Sequence, residues 1–348
     1  MAKSNFDVIT IGTAVRDVFL SSPLFKIVED KEHLKKLGFE DGKAECFAFG
    51  GKIKIDKPIF TSGGGATNAA VTFARAGLKT AAILSLGKDS IAKEIIDELK
   101  EEKINPIVSY SSENGTGYDT ILLNLGGERS ILVYRGASND LSLRSIGLSK
   151  LKSKWVYISP GQLPLELVKE IVNHFHKSGS FIAMNPSSHY LKLGQKRLES
   201  ILQKVSVLTL NRSEAALLVN GKGGDDRQML KKIAKLSEAI VVITDGANGS
   251  CLSDGKLIYR AGIFPEKVLR DRTGAGDAFG SAVVAVIAKS KEHPDKISEN
   301  TIKQALRFAS ANATSVVEHI GSKAGILKEK DFEGERRFKN FSVRKTLL

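Results

Sequence analysis

Short apolar segments that alternate with helical patterns constrain the fold of this chain more than any other feature. Six segments are apolar almost throughout and end at turn residues, namely 6–11, 80–85, 155–159, 181–185, 205–210 and 239–244. Helical patterns lie between them, at 66–76, 91–102, 164–177, 195–203, 213–219 and 226–236. Strands without polar alternation are buried on both faces of a sheet. The pattern therefore predicts a three-layer α/β/α body around a mostly parallel central sheet.

Two segments interrupt this alternation and indicate a second, smaller unit. Residues 17–62 and 104–135 contain short alternating strands instead of strand–helix pairs. In the second segment, residues 119–125 and 129–135 are expected to form a hairpin around Gly126 and Gly127. The chain is thus expected to form a small β-sheet lid from these two excursions, beside a body made of residues 1–16, 63–103 and 136–327.

The charge balance is basic, with 52 Lys+Arg against 39 Asp+Glu and a formal net charge of +13. Basic residues are interleaved with acids along the helical segments, which favours a solvated surface over a nucleic-acid-binding face. Residues 328–348 are interpreted as a loose basic tail. The two cysteines, Cys46 and Cys251, predict neither a disulfide scaffold nor a cysteine zinc site. With no apolar signal segment and no spanning segment, a cytoplasmic protein without a membrane partner is expected.

The strongest functional signal is the segment 271–277, Asp-Arg-Thr-Gly-Ala-Gly-Asp, which precedes an apolar helical pattern at 278–288. Glycines at a helix start let the backbone approach a ligand, and the free N–H groups form an anion site. A carboxylate is unfavourable in a site that only binds anions. Asp277 makes chemical sense if it accepts the proton of a hydroxyl group that attacks a phosphoryl group. A glycine C-cap followed by an N-capping aspartate is the alternative that needs no ligand.

A second glycine-rich segment, 62–68 (Ser-Gly-Gly-Gly-Ala-Thr-Asn), opens the helical pattern at 66–76. Its three glycines permit close approach of the backbone to a small polar molecule. Asn68 offers both a donor and an acceptor to hydroxyl groups. The alternative is a flexible loop with a solvent-facing asparagine.

Together the two segments resemble the N-terminal (63–77) and C-terminal (271–279) signatures of the ribokinase-like (PfkB) carbohydrate kinases, and the resemblance covers about residues 6–326. Three other positions agree with it: the N-x-x-E motif at 211–214, the segment 244–249 that lies against the nucleotide, and the acid Asp17 after the first strand. The resemblance implies a ribokinase-like fold and an ATP-dependent kinase that phosphorylates an alcohol group of a small sugar.

The resemblance also implies the site residues. Asp277 would be the general base, and the anion hole would consist of Gly274, Ala275 and Gly276. The acceptor would be held by Asp17, Gly63, Gly64, Asn68 and Gln162. The nucleotide would contact Asn211, Thr244, Gly246, Gly249 and Asn312. Glu214 would organise Mg²⁺ through water, and a possible K⁺ site would comprise Asp271, Thr273 and Gly321.

Three departures from the family pattern leave the acceptor open. Gln162 stands where some members carry a glutamate that grips the sugar. Val15 stands where members that phosphorylate ribose usually carry an asparagine, and the 45 residues between Asp17 and Gly63 form a longer segment than usual. A sugar is expected first and a nucleoside second, because an apolar residue at 15 would suit a base. A non-catalytic, nucleotide-responsive binding protein is a more distant alternative, against which the intact Asp277 argues. A homodimer through the lid is a further expectation.

Overall fold

A ten-stranded sheet forms the centre of the protein, which a computed structural model describes for residues 5–39, 41–123, 129–221 and 224–348. Its strands lie in the spatial order β16 (Val343–Leu347), β15 (Leu257–Ala261), β14 (Ser250–Ser253), β13 (Ile240–Thr244), β12 (Val207–Asn211), β11 (Phe181–Met184), β10 (Ser153–Ser159), β1 (Phe6–Gly12), β6 (Thr80–Leu86) and β7 (Asn105–Tyr110). Neighbouring strands from β13 to β7 pair in parallel. Strands β14 to β16 are antiparallel. The mostly parallel sheet predicted from the sequence is therefore confirmed.

Helices cover both faces of this sheet, which makes three layers. They are α2 (Gly65–Arg75), α3 (Ser90–Glu101), α4 (Leu165–Lys177), α5 (Ser188–Leu191), α6 (Gln195–Leu202), α7 (Arg212–Leu218), α8 (Asp226–Ile233), α9 (Ala275–Ser290), α10 (Glu299–Val317) and α11 (Glu329–Gly334). Ile9 belongs to an apolar cluster that includes residues of α4, α6, α7 and α8, whereas its neighbour Val8 belongs to a cluster on the opposite face that includes residues of α9 and α10. No helix in the described ranges is long and apolar enough to cross a membrane.

A separate four-stranded sheet, called the lid sheet here, lies beside this body. Its order is β5 (Ile59–Gly63), β2 (Val15–Ser21), β8 (Gly117–Leu123) and β9 (Arg129–Tyr134). A two-stranded sheet of β3 (Lys26–Glu29) and β4 (Lys43–Cys46), with the short helix α1 (His33–Lys36), belongs to the first excursion. The second excursion begins later than expected at 104, because β7 pairs in parallel with β6 of the large sheet. The glycines expected at the hairpin turn lie outside the described residues.

One face of the lid sheet points towards the body. Side chains alternate along a strand, and Thr61, Asp17 and Asp119 lie in register on the same face. On this face Arg129 Nη1 lies 3.7 Å from Asp271 Oδ1 of the body. A Cβ placed on Gly321 would lie 3.0 Å from Thr61 Cγ2. The face is called the cleft face below, because it closes over the start of α9.

The C-terminal segment is folded, which corrects the expectation of a loose tail. Strand β16 pairs with β15 along five residues. Phe338 is fully buried, and its ring centroid lies 5.0 Å from that of Phe264. Phe341 stacks on the other side of Phe264, with ring centroids 4.7 Å apart. The two aromatic rings anchor the segment, since burying a phenylalanine side chain contributes about 1.5–3 kcal/mol.

Candidate active site

The glycine motif of residues 271–277 forms the start of α9, beneath the lid sheet. Gly274 is the N-cap residue with φ of 79°, in the left-handed region that favours glycine. A Cβ at this position would also lie 2.4 Å from Ser322 Cβ. Both the backbone conformation and this contact therefore exclude a side chain at residue 274. The first N–H groups of a helix have no partner within the helix. Because Gly276 is exposed with open space around it, these groups can meet an anionic ligand.

Asp277 lies in the first turn of α9 and is joined to the other glycine motif. Asn68 Nδ2, from α2, donates a hydrogen bond to Asp277 Oδ2 at 2.8 Å. Ser322 Oγ donates to Asn68 Oδ1 at 2.8 Å, which fixes the orientation of the amide. Burial raises the pKa of Asp277, and the bond from Asn68 and the charge of Lys323 oppose this rise. The result is an oriented carboxyl group with an elevated pKa.

Asp17 lies close to the glycines that precede α2. Its side chain is only 4% exposed, and a Cβ on Gly63 would lie 2.1 Å from Asp17 Oδ2. Gly64 has φ of 95°, and a Cβ there would meet the Thr13 carbonyl oxygen at 2.4 Å. Burial, followed by the charge of Asp119, raises the pKa of Asp17 to about 7. The structure thus brings the predicted acceptor residues Asp17, Gly63, Gly64 and Asn68 to one cleft with Asp277.

Sequence reasoning missed Lys323, a buried cation in the turn after α10. Its Nζ donates to Ser62 Oγ at 2.5 Å, and Ser62 in turn donates to Glu98 Oε2 from both its N–H and its hydroxyl. Burial lowers the pKa of Lys323 to about 8. Its charge lowers the pKa of both Asp17 and Asp277. The motifs contain no signal for it, because only the fold brings this turn to the cleft.

A cavity of about 290 Å³ extends from the start of α9 along β13. Three of the predicted nucleotide residues line it, namely Thr244, Gly246 and Gly249. Gly249 must be glycine, since its φ is 88° and a Cβ would lie 2.2 Å from the Ala261 carbonyl oxygen. Apolar residues form much of the remaining wall, including Ile263, Phe264, Leu269, Phe279 and Val317. An apolar slot next to a helix N-terminus suits a nucleoside with its phosphates.

Asn312 does not line this cavity, and the nucleotide contact predicted for it is corrected here. Its side chain is fully buried on α10. Its Nδ2 donates to the Ala278 carbonyl oxygen at 2.9 Å, and its Oδ1 accepts from Leu327 N at 2.9 Å. Both ends of the amide therefore tie α10 to α9 and to the chain that follows. Gln162 is exposed in the loop after β10, and its acceptor contact stays a prediction.

A second cavity, of about 250 Å³, connects the N-x-x-E motif with Asp277. Its lining includes Asn185, Asn211, Glu214, Thr244 and Gly276. Asn211 and Glu214 form a capping box at the start of α7, with Glu214 N to Asn211 Oδ1 at 2.8 Å and Asn211 N to Glu214 Oε2 at 2.9 Å. Burial raises the pKa of Glu214, and the charge of Asp277 adds to the rise. Asn185, which sequence reasoning did not assign to the site, is held by its bond to the Thr209 carbonyl oxygen at 2.9 Å.

The three residues predicted for a monovalent cation also come together. Asp271 Oδ1 accepts from Thr273 N at 2.9 Å and from Thr273 Oγ1 at 2.7 Å. Asp271 Oδ2 accepts from Gly321 N at 3.1 Å, so Gly321 presents its N–H to this carboxylate. Arg129 of the lid sheet faces the same carboxylate. The negative charge of Asp271 thus already has a positive neighbour within the chain.

Known proteins share both the sequence pattern and the fold. The model of the pfkB family carbohydrate kinases matches residues 41–329. The ribokinase of Haemophilus influenzae is 27% identical over 271 residues, which are 76% of this chain and 83% of that protein. The structure of Arabidopsis thaliana ribokinase complexed with ribose and ATP matches with a TM-score of 0.71 and 19% identity, over 98% of this chain and 100% of the other.

A kinase with a different type of acceptor has a similar fold. The structure of adenosine kinase from Sinorhizobium meliloti matches with a TM-score of 0.74 and 18% identity, over 95% of this chain and 99% of the other. At this level of identity the likeness concerns the fold alone. The ribokinase-like fold class expected from the sequence is confirmed.

Proposed function

The chain belongs to the pfkB family of carbohydrate kinases, and on this premise we propose that it transfers the γ-phosphate of ATP to a hydroxyl group of a small free sugar. Membership makes it an ATP-dependent kinase with an alcohol group as acceptor. The observation that carries the finer proposal is the hydrogen bond from Asn68 to Asp277. It joins the two glycine motifs at one carboxylate, where an acceptor held by the first motif meets a phosphate held by the second.

In this proposal Asp277 is the general base. The acceptor hydroxyl donates its proton to Asp277 as its oxygen attacks the γ-phosphorus in line. A carboxyl group whose pKa is raised by burial is a better proton acceptor than an exposed one. The N–H groups of Gly274, Ala275 and Gly276 lie at the helix start and stabilise the negative charge that develops on the phosphoryl oxygens. Asp17 and Asn68 hold the other hydroxyl groups of the acceptor.

The cavity beside Glu214 fits a hydrated Mg²⁺ ion. Its side-chain donors are oxygens of Glu214, Asn211 and Asn185, the donor type that this cation takes. Burial and the charge of Asp277 raise the pKa of Glu214, and a cation beside this carboxylate would oppose both effects. Mg²⁺ bound with ATP would supply charge neutralisation on the β- and γ-phosphates. We propose that Glu214 holds the hydration shell of this ion.

Glu214→Gln is expected to raise the Mg²⁺ concentration needed for half-maximal activity. Glutamine keeps an oxygen that can accept the capping-box hydrogen bond, so α7 should stay intact while the charge is lost. The measurement is a Mg²⁺ titration of ADP release at fixed ATP. Glu199→Gln, which removes an exposed charge from α6, is the matched control. An unchanged titration in Glu214→Gln would restrict Glu214 to its role as a helix cap.

Arg129→Gln is expected to increase the stimulation of activity by K⁺ relative to Na⁺. In the wild type K⁺ should stimulate more than Na⁺ at equal ionic strength, but the guanidinium of Arg129 competes with the ion for Asp271. Initial rates in K⁺, Na⁺ and a bulky organic cation measure the effect. Arg144→Gln removes the charge of an exposed arginine elsewhere and is the control. If the ratio of the initial rates in K⁺ and Na⁺ is the same in wild type and Arg129→Gln, Arg129 does not compete with the ion for Asp271.

The acceptor is tested with one panel of sugars and nucleosides in ATP, Mg²⁺ and K⁺, read as ADP release. Ribose, fructose and glucose represent the sugars, with adenosine, inosine and guanosine as nucleosides. ADP release that no compound raises above the rate of ATP hydrolysis without acceptor would contradict the proposed function. Fructose 1- and 6-phosphate test whether Asp17 repels an anionic acceptor, as its charge predicts.

A nucleoside is the second candidate acceptor, for a specific reason. On the cleft face of the lid sheet, Val133 pairs in register with Asp119, and Ile131 lies two residues away on the same strand. Both are exposed, by 48% and 43%, although they point towards the cleft. Together with the apolar Val15, they offer a surface that suits a base better than it suits a sugar hydroxyl. A higher kcat/KM for a nucleoside than for any free sugar would favour this candidate.

A further inference from the structure

The cleft face of the lid sheet carries two carboxylates side by side. Asp17 on β2 and Asp119 on β8 are directly opposite each other in a parallel pair of strands. Neighbouring strands lie about 4.8 Å apart, and residues in register point to the same side. The two carboxyl groups therefore share one part of the acceptor cleft. Of these two acids, sequence reasoning assigned an acceptor role only to Asp17.

The pair of carboxylates is not fully satisfied by hydrogen bonds within the described residues. Asp17 is 4% exposed, and its pKa is shifted by burial and by neighbouring charges without a hydrogen bond among the causes. Asp119 Oδ1 is buried without any partner in the part of the chain that the structure describes. Two other buried acids of the chain differ, since Asp271 accepts from Thr273 and Gly321, and Glu318 pairs with Arg337. Buried polar atoms without partners are rare in folded proteins, so the unpartnered Asp119 Oδ1 beside Asp17 leaves an acceptor for a ligand.

The cations near the pair form no ion pair with it within the described residues. Lys323 Nζ donates a hydrogen bond to Ser62 Oγ, and Arg135 is exposed. Both cations nevertheless lower the pKa of a carboxyl group they face. Asp119 raises the pKa of Asp17, which is the effect of two like charges placed together. A positive group between them would relieve that repulsion.

On the basis of the kinase function proposed above, we propose that Asp17 and Asp119 form a two-carboxylate acceptor site for a sugar or polyol that carries a protonated amino group. An ammonium group has three N–H donors and can bridge both carboxylates. The hydroxyl group to be phosphorylated then points away from the lid sheet, towards Asp277. Asp119 is thus a specificity-determining residue, and the site disfavours acceptors that carry a phosphate or a carboxylate.

The test compares each aminosugar with its neutral parent on the full chain at pH 7. Glucosamine with glucose, galactosamine with galactose, and 1-amino-1-deoxyfructose with fructose are matched pairs. Calorimetry measures binding in the absence of ATP, and ADP release measures turnover. At least one amine should bind about tenfold or more tightly than its parent, because its positive charge adds an attraction to two carboxylates that a neutral hydroxyl group lacks. Asp119→Asn should reduce this preference to about twofold or less while ATP binding is unchanged.

Asp56→Asn is the matched control for Asp119→Asn. Asp56 is an exposed carboxylate of the lid excursion that accepts from Ser21 Oγ at 3.0 Å, and Ser21 lies four residues beyond Asp17 on β2. Its removal changes the net charge equally and should leave the amine preference intact. If the Asn variant does not fold, as judged by ATP affinity and thermal unfolding, Asp119→Ser takes its place.

The outcomes separate this inference from the proposed function. Equal or weaker binding of every amine relative to its parent overturns the inference, as does binding of no amine at all. Survival of the preference in the Asp119 variant overturns it too. If a neutral sugar is phosphorylated rapidly without any amine preference, the kinase proposal stands and the inference fails. If an amine binds with the expected preference but no compound increases ADP release, the acceptor site stands and the proposed phosphoryl transfer to sugars fails.

Discussion

Asp277→Asn is expected to lower kcat by roughly 10²–10⁴-fold, the contribution typical of a positioned general base. Asparagine has nearly the same volume and keeps an oxygen that can accept the bond from Asn68, so the start of α9 should stay intact. The affinity for ATP should change little, because the anion site uses backbone N–H groups. Steady-state ADP release with the acceptor found by the panel measures kcat, and calorimetry measures the affinity for ATP.

The control for this variant is Asp295→Asn, which removes the same charge from an exposed position beyond the end of α9. Near-normal turnover of Asp277→Asn would exclude Asp277 from the role of base. The pH profile offers a second check on the wild type. Because burial raises the pKa of Asp277, kcat/KM should fall as the pH decreases through that raised value, at a higher pH than for an ordinary aspartate.

Asp17→Ala is expected to lower kcat/KM for the acceptor by roughly 10²–10⁴-fold, with little change in ATP affinity. A buried carboxylate that accepts two hydroxyl groups forms bonds worth about 1.5–3 kcal/mol each, and about 1.4 kcal/mol corresponds to a factor of ten. Its removal leaves the hydroxyl groups without partners in a water-poor cleft. Acceptor kcat/KM and ATP affinity are measured on the same preparation. A loss shared equally between acceptor and ATP would point to damage of the fold instead of the acceptor site.

The same carboxyl group should make the unliganded protein less stable as the pH rises. The pKa of Asp17 is about 7 in the folded protein and 3.8 ordinarily, so the folded state binds this proton more tightly than the unfolded state. Its contribution to the free energy of unfolding is complete below about pH 4 and is lost progressively as the pH approaches 7. Asp17→Asn removes this dependence. The Tm of Asp17→Asn should exceed that of the wild type at pH 8 and match it at pH 4.

Thermal unfolding across pH 4–8 checks this expectation, with Asp56→Asn as the control. Asp56 is exposed, so its substitution should leave the pH dependence of Tm unchanged. A Tm difference between wild type and Asp17→Asn that is equal at pH 4 and pH 8 would contradict the assignment of the titration to Asp17. Pre-incubation with acceptor should diminish the difference, because the ligand supplies partners for the ionised carboxylate.

Much of the fold could be predicted because its signals are local. The apolar segments near 6–11 and 239–244 became β1 and β13 within one or two residues, since a strand buried on both faces carries apolar side chains along most of its length. The segment from residue 104 was harder. Asn105–Tyr110 mixes polar and apolar residues, as expected of a lid strand, but it is the edge strand of the large sheet, and of its residues only Ser109 is buried. An edge strand is partly solvated in either sheet, so its composition does not identify the sheet.

The sequence by itself determined the two glycine motifs and the chemistry they indicate, including Asp277. An anion site needs consecutive N–H groups and small residues at one helix start, so all its parts are contiguous in the chain. Tertiary structure alone decided which distant side chains complete or leave the site. Helix packing and strand register place Lys323 at the cleft and Asp119 beside Asp17. They also place Asn312 where its amide forms a hydrogen bond between α10 and α9. These roles depend on strand register and helix packing between segments far apart in the chain. The residue type of a charged or amide side chain does not identify the partner that it contacts in the folded protein.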